Sequence, residues 1–203
     1  TERNTGKVRM VINGVLQNTA VITFPVDAQG ERGLLGIAVD PDFTQKYFVW
    51  VYFTRPQSTG PCNSADNRVV RFTLGADHQG YDPVFAGSFP ITPCQTIHNG
   101  GNLHFGPDGK LYVTVCNNDA TNDAVDPAQD LSSPLGKLHR FTAGAPLGIP
   151  GDNPFSGSSV YAYGLRNSFD FDFDPITGRV FATENGDNCD DEINRILPGG
   201  NYG

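Results

Sequence analysis

The sequence predicts an all-β chain assembled from repeated antiparallel units, and three observations carry that reading. Its 203 residues include 24 Gly and 15 Pro but one Met, a composition that favours tight turns and opposes long helices. One pattern, an apolar strand, a turn built on Asp and Pro, then a second apolar strand, occurs three times. Each copy is followed by a short strand that sets an Arg among apolar residues. Aromatic residues at 11% supply the bulk that a folded core needs, which a disordered chain of this polarity would lack.

The first copy runs Leu34–Val39, Asp40-Pro41-Asp42-Phe43, Tyr47–Tyr52. The second runs Asn102–Phe105, Gly106-Pro107-Asp108-Gly109, Lys110–Val115, and the third Phe169–Phe173, Asp174-Pro175-Ile176-Thr177-Gly178, Arg179–Thr183. Pro fixes φ at the corner, Asp bonds its own backbone and Gly accepts positive φ, so each turn reverses the chain. Val69–Phe72, Lys137–Phe141 and Glu192–Ile196 are the Arg-bearing third strands, and Lys7–Met10 resembles a fourth copy of them. Alternation at period 2 assigns each strand two faces. Where both faces are apolar, a unit of three or four strands must stack on its neighbours to bury them. Four-stranded units repeating at this spacing predict a β-propeller, one domain over residues 1–203 holding three to four blades. A β-sandwich with coincidentally similar hairpins is the alternative. Pro56–Asn67, Leu74–Gln95, Cys116–Pro134 and Thr142–Ser159, rich in Gly, Pro, Asn, Asp and Ser, are expected to be long rim loops.

Net charge is −8. Nucleic acids and anionic membranes recruit clustered cations, and the scattered Lys and Arg residues here exclude both as main partners. No apolar run approaches the roughly 20 residues that span a bilayer. Gly6–Val11 already reads as a strand, consistent with numbering that begins inside a longer protein. Cys62, Cys94, Cys116 and Cys189 contain no C-x-x-C spacing, so a zinc knuckle is not expected. An even count in an acidic, loop-rich chain predicts at least one disulfide and a secreted or periplasmic location; four buried thiols are the alternative. Cys116 with Cys189, and Cys62 with Cys94, are the expected pairs.

Three segments offer chemistry. His98, in Ile97-His98-Asn99-Gly100-Gly101, immediately precedes the inner strand of the second copy, where a propeller lines its axis. A neutral imidazole there suits a general base, and the two glycines let backbone approach a ligand; a loop-capping His is the alternative. His104 alternates with Leu103 and Phe105 and reads as a strand-face residue. Tyr163-Gly164-Leu165-Arg166-Asn167 occupies the same slot before the third copy, suiting a carboxylate- or quinone-bearing ligand, or else a surface ion pair. Glu184–Glu192, with its acids and Gly186, offers oxygen ligands suited to calcium, or else an acidic turn. Asn117–Asp126 is a weaker candidate of the same kind. No G-x-S-x-G, Walker or dinucleotide glycine motif is present.

At these residues the chain resembles the glucose/sorbosone dehydrogenase family, soluble quinoproteins that use pyrroloquinoline quinone (PQQ). The resemblance covers Glu31–Ala38, His98–Gly101 with Phe105–Tyr112, Asp130-Leu131 through Gly136-Lys137, Tyr163–Asn167, Asp190–Asn194 and Gly199–Gly203. It implies a six-bladed propeller with PQQ and calcium at the axis, oxidising aldose sugars for an external electron acceptor. It further implies that His98 removes the hydroxyl proton while hydride moves to PQQ. Arg166, Asn167 and Asn122 would contact PQQ, and the carbonyls of Gly186 and Asp187 would hold calcium. Asp187 stands where the family often has Pro, a change a carbonyl ligand tolerates. Cys116 and Asn117 stand where the family usually has Gly-Asp. Asn117 therefore falls in the position that orients the catalytic His, where an amide, lacking charge, favours the wrong tautomer. Asn102 replaces a frequent Arg. The chain ends after about three and a half repeats, so a fragment is expected, with the remaining blades supplied by the same or another chain. A non-catalytic extracellular binding or assembly module that lost the His-orienting Asp is the alternative reading.

Overall fold

The computed structural model describes residues 1–56, 65–92, 94–119, 126–187 and 189–203. At the N-terminal end β1 (Lys7–Val8) pairs with β4 (Ile22–Thr23), and between them β2 (Val11–Ile12) and β3 (Val15–Leu16) form a hairpin. Asn13 and Gly14 take φ of 50° and 80° at its tip, the left-handed pair that a two-residue hairpin requires. Three antiparallel sheets follow in chain order. The first contains β5 (Leu34–Val39), β6 (Phe48–Pro56), β7 (Ala65–Leu74) and β8 (Gly80–Pro90), with the helical turn α1 (Phe43–Lys46) between β5 and β6. The second contains β9 (Leu103–Phe105), β10 (Leu111–Val115), β11 (Lys137–Phe141) and β12 (Val160–Tyr163). The third contains β13 (Phe171–Phe173), β14 (Val180–Glu184) and β15 (Glu192–Ile196). In each sheet the strands lie side by side in sequence order.

The three repeated hairpins are β5–β6, β9–β10 and β13–β14, and the Arg-bearing strands β7, β11 and β15 pair next to them. The turn acids act alike. Oδ1 of Asp40, Asp108 and Asp174 accepts the N–H two residues on, from Asp42 (3.0 Å), Lys110 (3.0 Å) and Ile176 (2.9 Å). Each closes its corner by a local side-chain bond.

Period-2 alternation becomes sheet-on-sheet packing. On β6, Trp50 and Tyr52 point toward the second sheet and pack with Leu103, Leu111, Val113 and Val115. Val49, Val51 and Phe53 point the other way, against Val8, Val21 and Phe24 of the N-terminal segment. On β10, Tyr112 points toward the third sheet and joins Phe171, Val180 and Ala182. The second sheet is thus covered on both faces, while Phe181 and Ile193 of the third stand exposed on its far side. Sheets stacked face to face in chain order, with the hairpin strand nearest the axis first, make a partial β-propeller.

Three expectations need correction. Half of Leu74–Gln95 is not loop but β8, whose Pro83 and Gly87 hide a strand signal. It is an outer edge strand with two register shifts against β7 and a positive φ at Asp82, and an edge with bulges tolerates Pro. Lys7–Met10 is not the third strand of a blade. Only Lys7–Val8 is extended, and Arg9 turns aside to Glu2 (2.8 Å) and the Gln17 carbonyl (2.6 Å). Cys116 and Cys189 are free thiols: Cys116 is buried at the end of β10, with its Sγ toward the Ser168 carbonyl, and Cys189 lies out on an exposed turn. Cys62, of the other expected pair, lies outside the described residues. Among the described residues no helix is long and apolar enough to cross a membrane.

Candidate functional site

The segment leading into β9 must pass close beneath the first sheet, which explains its glycines. Gly101 has φ of 104°, and a Cβ there would lie 2.5 Å from the Tyr52 ring. This passage carries His98 inward, to 5% exposure, with φ of 51°. Its N–H donates to Glu31 Oε2 (2.6 Å), and its carbonyl accepts from the Asn118 backbone (3.1 Å) and Nδ2 (3.0 Å).

The ring has a defined tautomer. His98 Nδ1 lies 3.0 Å from Asn117 Oδ1. That same oxygen accepts the Asp119 N–H at 2.9 Å, so the Asn117 amide is oriented with its oxygen toward the ring. Two acceptors cannot bond each other, so Nδ1 carries the proton and donates it. Nε2 is left with its lone pair and makes no hydrogen bond among the described residues. The expectation that an amide at 117 favours the wrong tautomer is therefore corrected. A neighbouring N–H, invisible in the residue types alone, fixes which amide atom faces the ring.

From Asn117 a chain of hydrogen bonds runs to the other two segments. The Asn117 N–H donates to the Arg166 carbonyl (2.9 Å), and the Asn185 N–H to the Asn167 carbonyl (3.2 Å). Arg166 Nη1 donates to the carbonyls of Asn185 and Gly186, each at 3.0 Å, and Nη2 to Asp187 Oδ1 at 3.2 Å. The structure thus brings His98, Asn117, Arg166, Asn167, Gly186 and Asp187 into one connected cluster at the axial ends of the second and third sheets. Asn122 lies outside the described residues.

Two acids inside this cluster were not singled out from the sequence as such. Glu31 holds His98 in place through its backbone. Glu184 ends β14 on the inward face shared by Val180 and Ala182, a period-2 signal that was available, and Oε1 accepts the Asn167 N–H. Burial pushes the Glu184 carboxyl up to about 7, against the lowering effect of that N–H. Burial also pushes the Cys116 thiol up, with the Glu184 and Glu31 charges next in weight.

The acids of Glu184–Glu192 do not gather into a side-chain cage. Asp187 turns to Arg166, Asp191 accepts the Gly186 N–H (3.0 Å), and Glu192 accepts from Asn194 (2.9 Å). Among the described residues no three His, Cys, Asp or Glu side chains converge as a metal site. Backbone oxygens behave differently: the carbonyls of 185 and 186 already face a cationic group, the Arg166 guanidinium. Among the described residues the buried Asn167 Oδ1 and Glu184 Oε2 meet no partner, a state that costs free energy unless a donor or cation meets them. Buried oxygens of this kind are the donors that calcium takes. The adjoining guanidinium fits the carboxylates of a quinone such as PQQ.

A family model described as glucose/sorbosone dehydrogenase matches residues 1–203. The chain is 33% identical over 232 residues to quinoprotein glucose dehydrogenase B of Acinetobacter calcoaceticus, an alignment covering all of this chain and 46% of that protein. It is 31% identical over 183 residues to an aldose sugar dehydrogenase of Escherichia coli, covering 87% of this chain and 47% of that one. The PQQ-bound structure of an aldose sugar dehydrogenase from Streptomyces coelicolor superposes with a TM-score of 0.82 at 35% identity, covering 100% of this chain and 57% of that one. The chain spans about half the length of the curated relatives it matches. It belongs to the glucose/sorbosone dehydrogenase family.

Proposed function

We propose that this chain contributes the base and part of the cofactor cradle of a quinoprotein that oxidises aldose sugars. The observation that carries the reading is the His98 ring. Its Nδ1–H is held by Asn117, its Nε2 meets no partner among the described residues, and a hydrogen-bonded path joins it to Arg166 and the 185–186 carbonyls. PQQ, when bound with calcium, supplies the two-electron acceptor for the hydride that leaves C1 of the sugar. His98 Nε2 takes the hydroxyl proton as that hydride departs. Arg166 and Asn167 would orient the cofactor, with the Arg166 guanidinium placed to offset negative charge on it. Asn122 is a further proposed cofactor contact. The Gly186 and Asp187 carbonyls would hold calcium. An external acceptor would serve as the electron sink, the remaining blades would complete the site, and the protein would work outside the cytoplasm, secreted or in the periplasm. Relatives named as quinoprotein glucose and aldose sugar dehydrogenases support this reading.

Asn117 favours a second reading, a propeller that binds without catalysis, since an amide brings no charge to the imidazolium. Adding PQQ and calcium, then glucose and an artificial electron acceptor, separates the two. Sugar-dependent dye reduction that requires both additions supports the dehydrogenase. No reduction, and no change in PQQ absorbance, overturns it.

A further inference from the structure

The turn after β10 is more constrained than a surface loop needs to be. Asn118 and Asp119 take successive positive φ of 55° and 52°, a backbone form that non-glycine residues seldom adopt twice in a row. Asn118 is fully buried and pinned on both sides of its amide: Nδ2 donates to the His98 carbonyl (3.0 Å) and Oδ1 accepts the Thr92 N–H (3.1 Å). The consequence falls on Asp119. Its N–H reaches back to Asn117 Oδ1 at 2.9 Å, and its carboxylate Oδ1 stands 3.9 Å from His98 Nδ1. The other charged groups about His98 sit differently. Glu31 takes the backbone N–H rather than the ring, and the Arg166 guanidinium is turned to residues 185–187.

We propose that Asp119 is a positioning residue for His98, dividing with Asn117 the work that a single carboxylate at position 117 would do. Asn117 accepts the ring proton and fixes the ring. Asp119 locks the Asn117 amide through its own N–H and supplies the negative charge that the amide lacks. When Nε2 picks up a proton, the imidazolium faces that carboxylate across the edge that already donates to Asn117. Attraction between unit charges at this distance persists even in bulk water. The Asp119 side chain is 34% exposed, so solvent screening keeps the effect modest. The catalytic consequence rests on the proposed sugar oxidation; the electrostatic one does not.

The test uses the whole chain labelled with 15N-histidine, with His98 assigned by its loss in His98→Gln. Asp119→Asn removes the charge and keeps the backbone N–H. Followed against pH, the His98 ring resonances in Asp119→Asn should change at lower pH than in the parent, the direction that losing a carboxylate 3.9 Å from Nδ1 gives. Asn117→Asp should displace them the opposite way, because it adds a carboxylate at the ring. The acid limb of kcat/KM against pH should move by the same amount in the same direction as the ring titration. Superimposable His98 titrations in parent and Asp119→Asn would overturn the proposal. A displaced titration in a protein that oxidises no sugar would leave Asp119 in this role and overturn the dehydrogenase reading instead.

Discussion

His98 and His139 are both buried beside the second sheet, yet they are held in opposite ways. His139, on β11, has both nitrogens occupied: Nε2–H donates to the Pro134 carbonyl (2.8 Å) and Nδ1 accepts from Ser159 Oγ (2.9 Å). Its ring packs against Phe89 and Phe141, with centroids 5.1 and 5.7 Å away. Burial pulls it down to about 4, so it stays neutral. His98 has one nitrogen tied and one open, on a strained segment between two sheets. A histidine with both nitrogens satisfied inside apolar packing is part of the core, whereas one with a fixed tautomer and an open lone pair is equipped to move a proton.

The contrast breaks most sharply on activity. His98→Gln should lower the rate of sugar oxidation by about 10²–10⁴-fold, the usual worth of a positioned base, while its unfolding midpoint stays near the parent's; a rate within threefold would erase the distinction. His139→Ala should do the reverse. It leaves a cavity and strands Ser159 and Pro134, costing about 3 kcal/mol in denaturant titrations, and the folded fraction should bind PQQ as the parent does.

Acid and alkali sharpen the same comparison. His139 binds its proton more weakly folded (about 4) than unfolded (6.5), so its contribution is complete above pH 6.5 and is lost as pH falls through 4. Glu184 is raised from 4.5 to about 7, so its contribution is complete below pH 4.5 and is lost as pH rises through 7. His139→Gln should flatten the acid side of the stability profile and Glu184→Gln the alkaline side, the latter variant gaining on the parent at pH 8. A Glu184→Gln protein that loses ground at pH 8 contradicts this sign. The smallest expected effect is that of Ser159→Ala, about 1 kcal/mol for one hydrogen bond, read from the same denaturant curves.

The legible part of the fold was local. Asp-Pro and Asp-Gly corners and period-2 strands are set within a few residues, so all three hairpins and their third strands could be read directly. β8 was hidden because an outer edge tolerates the Pro83 and Gly87 that signal a loop elsewhere. The Cys116–Cys189 pairing failed because two thiols that follow equivalent strands in sequence face different environments, one interior and one solvent. At the site, the slots before β9 and β13 gave away His98 and Arg166, since an inner strand must begin at the axis. Glu184 passed for a member of an acidic turn, although its parity on β14 placed it inward. The part that no residue type announces is the tautomer of His98, which depends on a backbone N–H at position 119 reaching the Asn117 amide.

The proposed chemistry of the cluster depends on that tautomer, and one spectrum reads it. In the 15N-histidine spectrum of the parent at neutral pH, His98 should show the Nδ1–H form and His139 the Nε2–H form, two opposite tautomers in one molecule. A His98 ring protonated at Nε2 would contradict the account, because its lone pair would then point at Asn117 and not at a substrate.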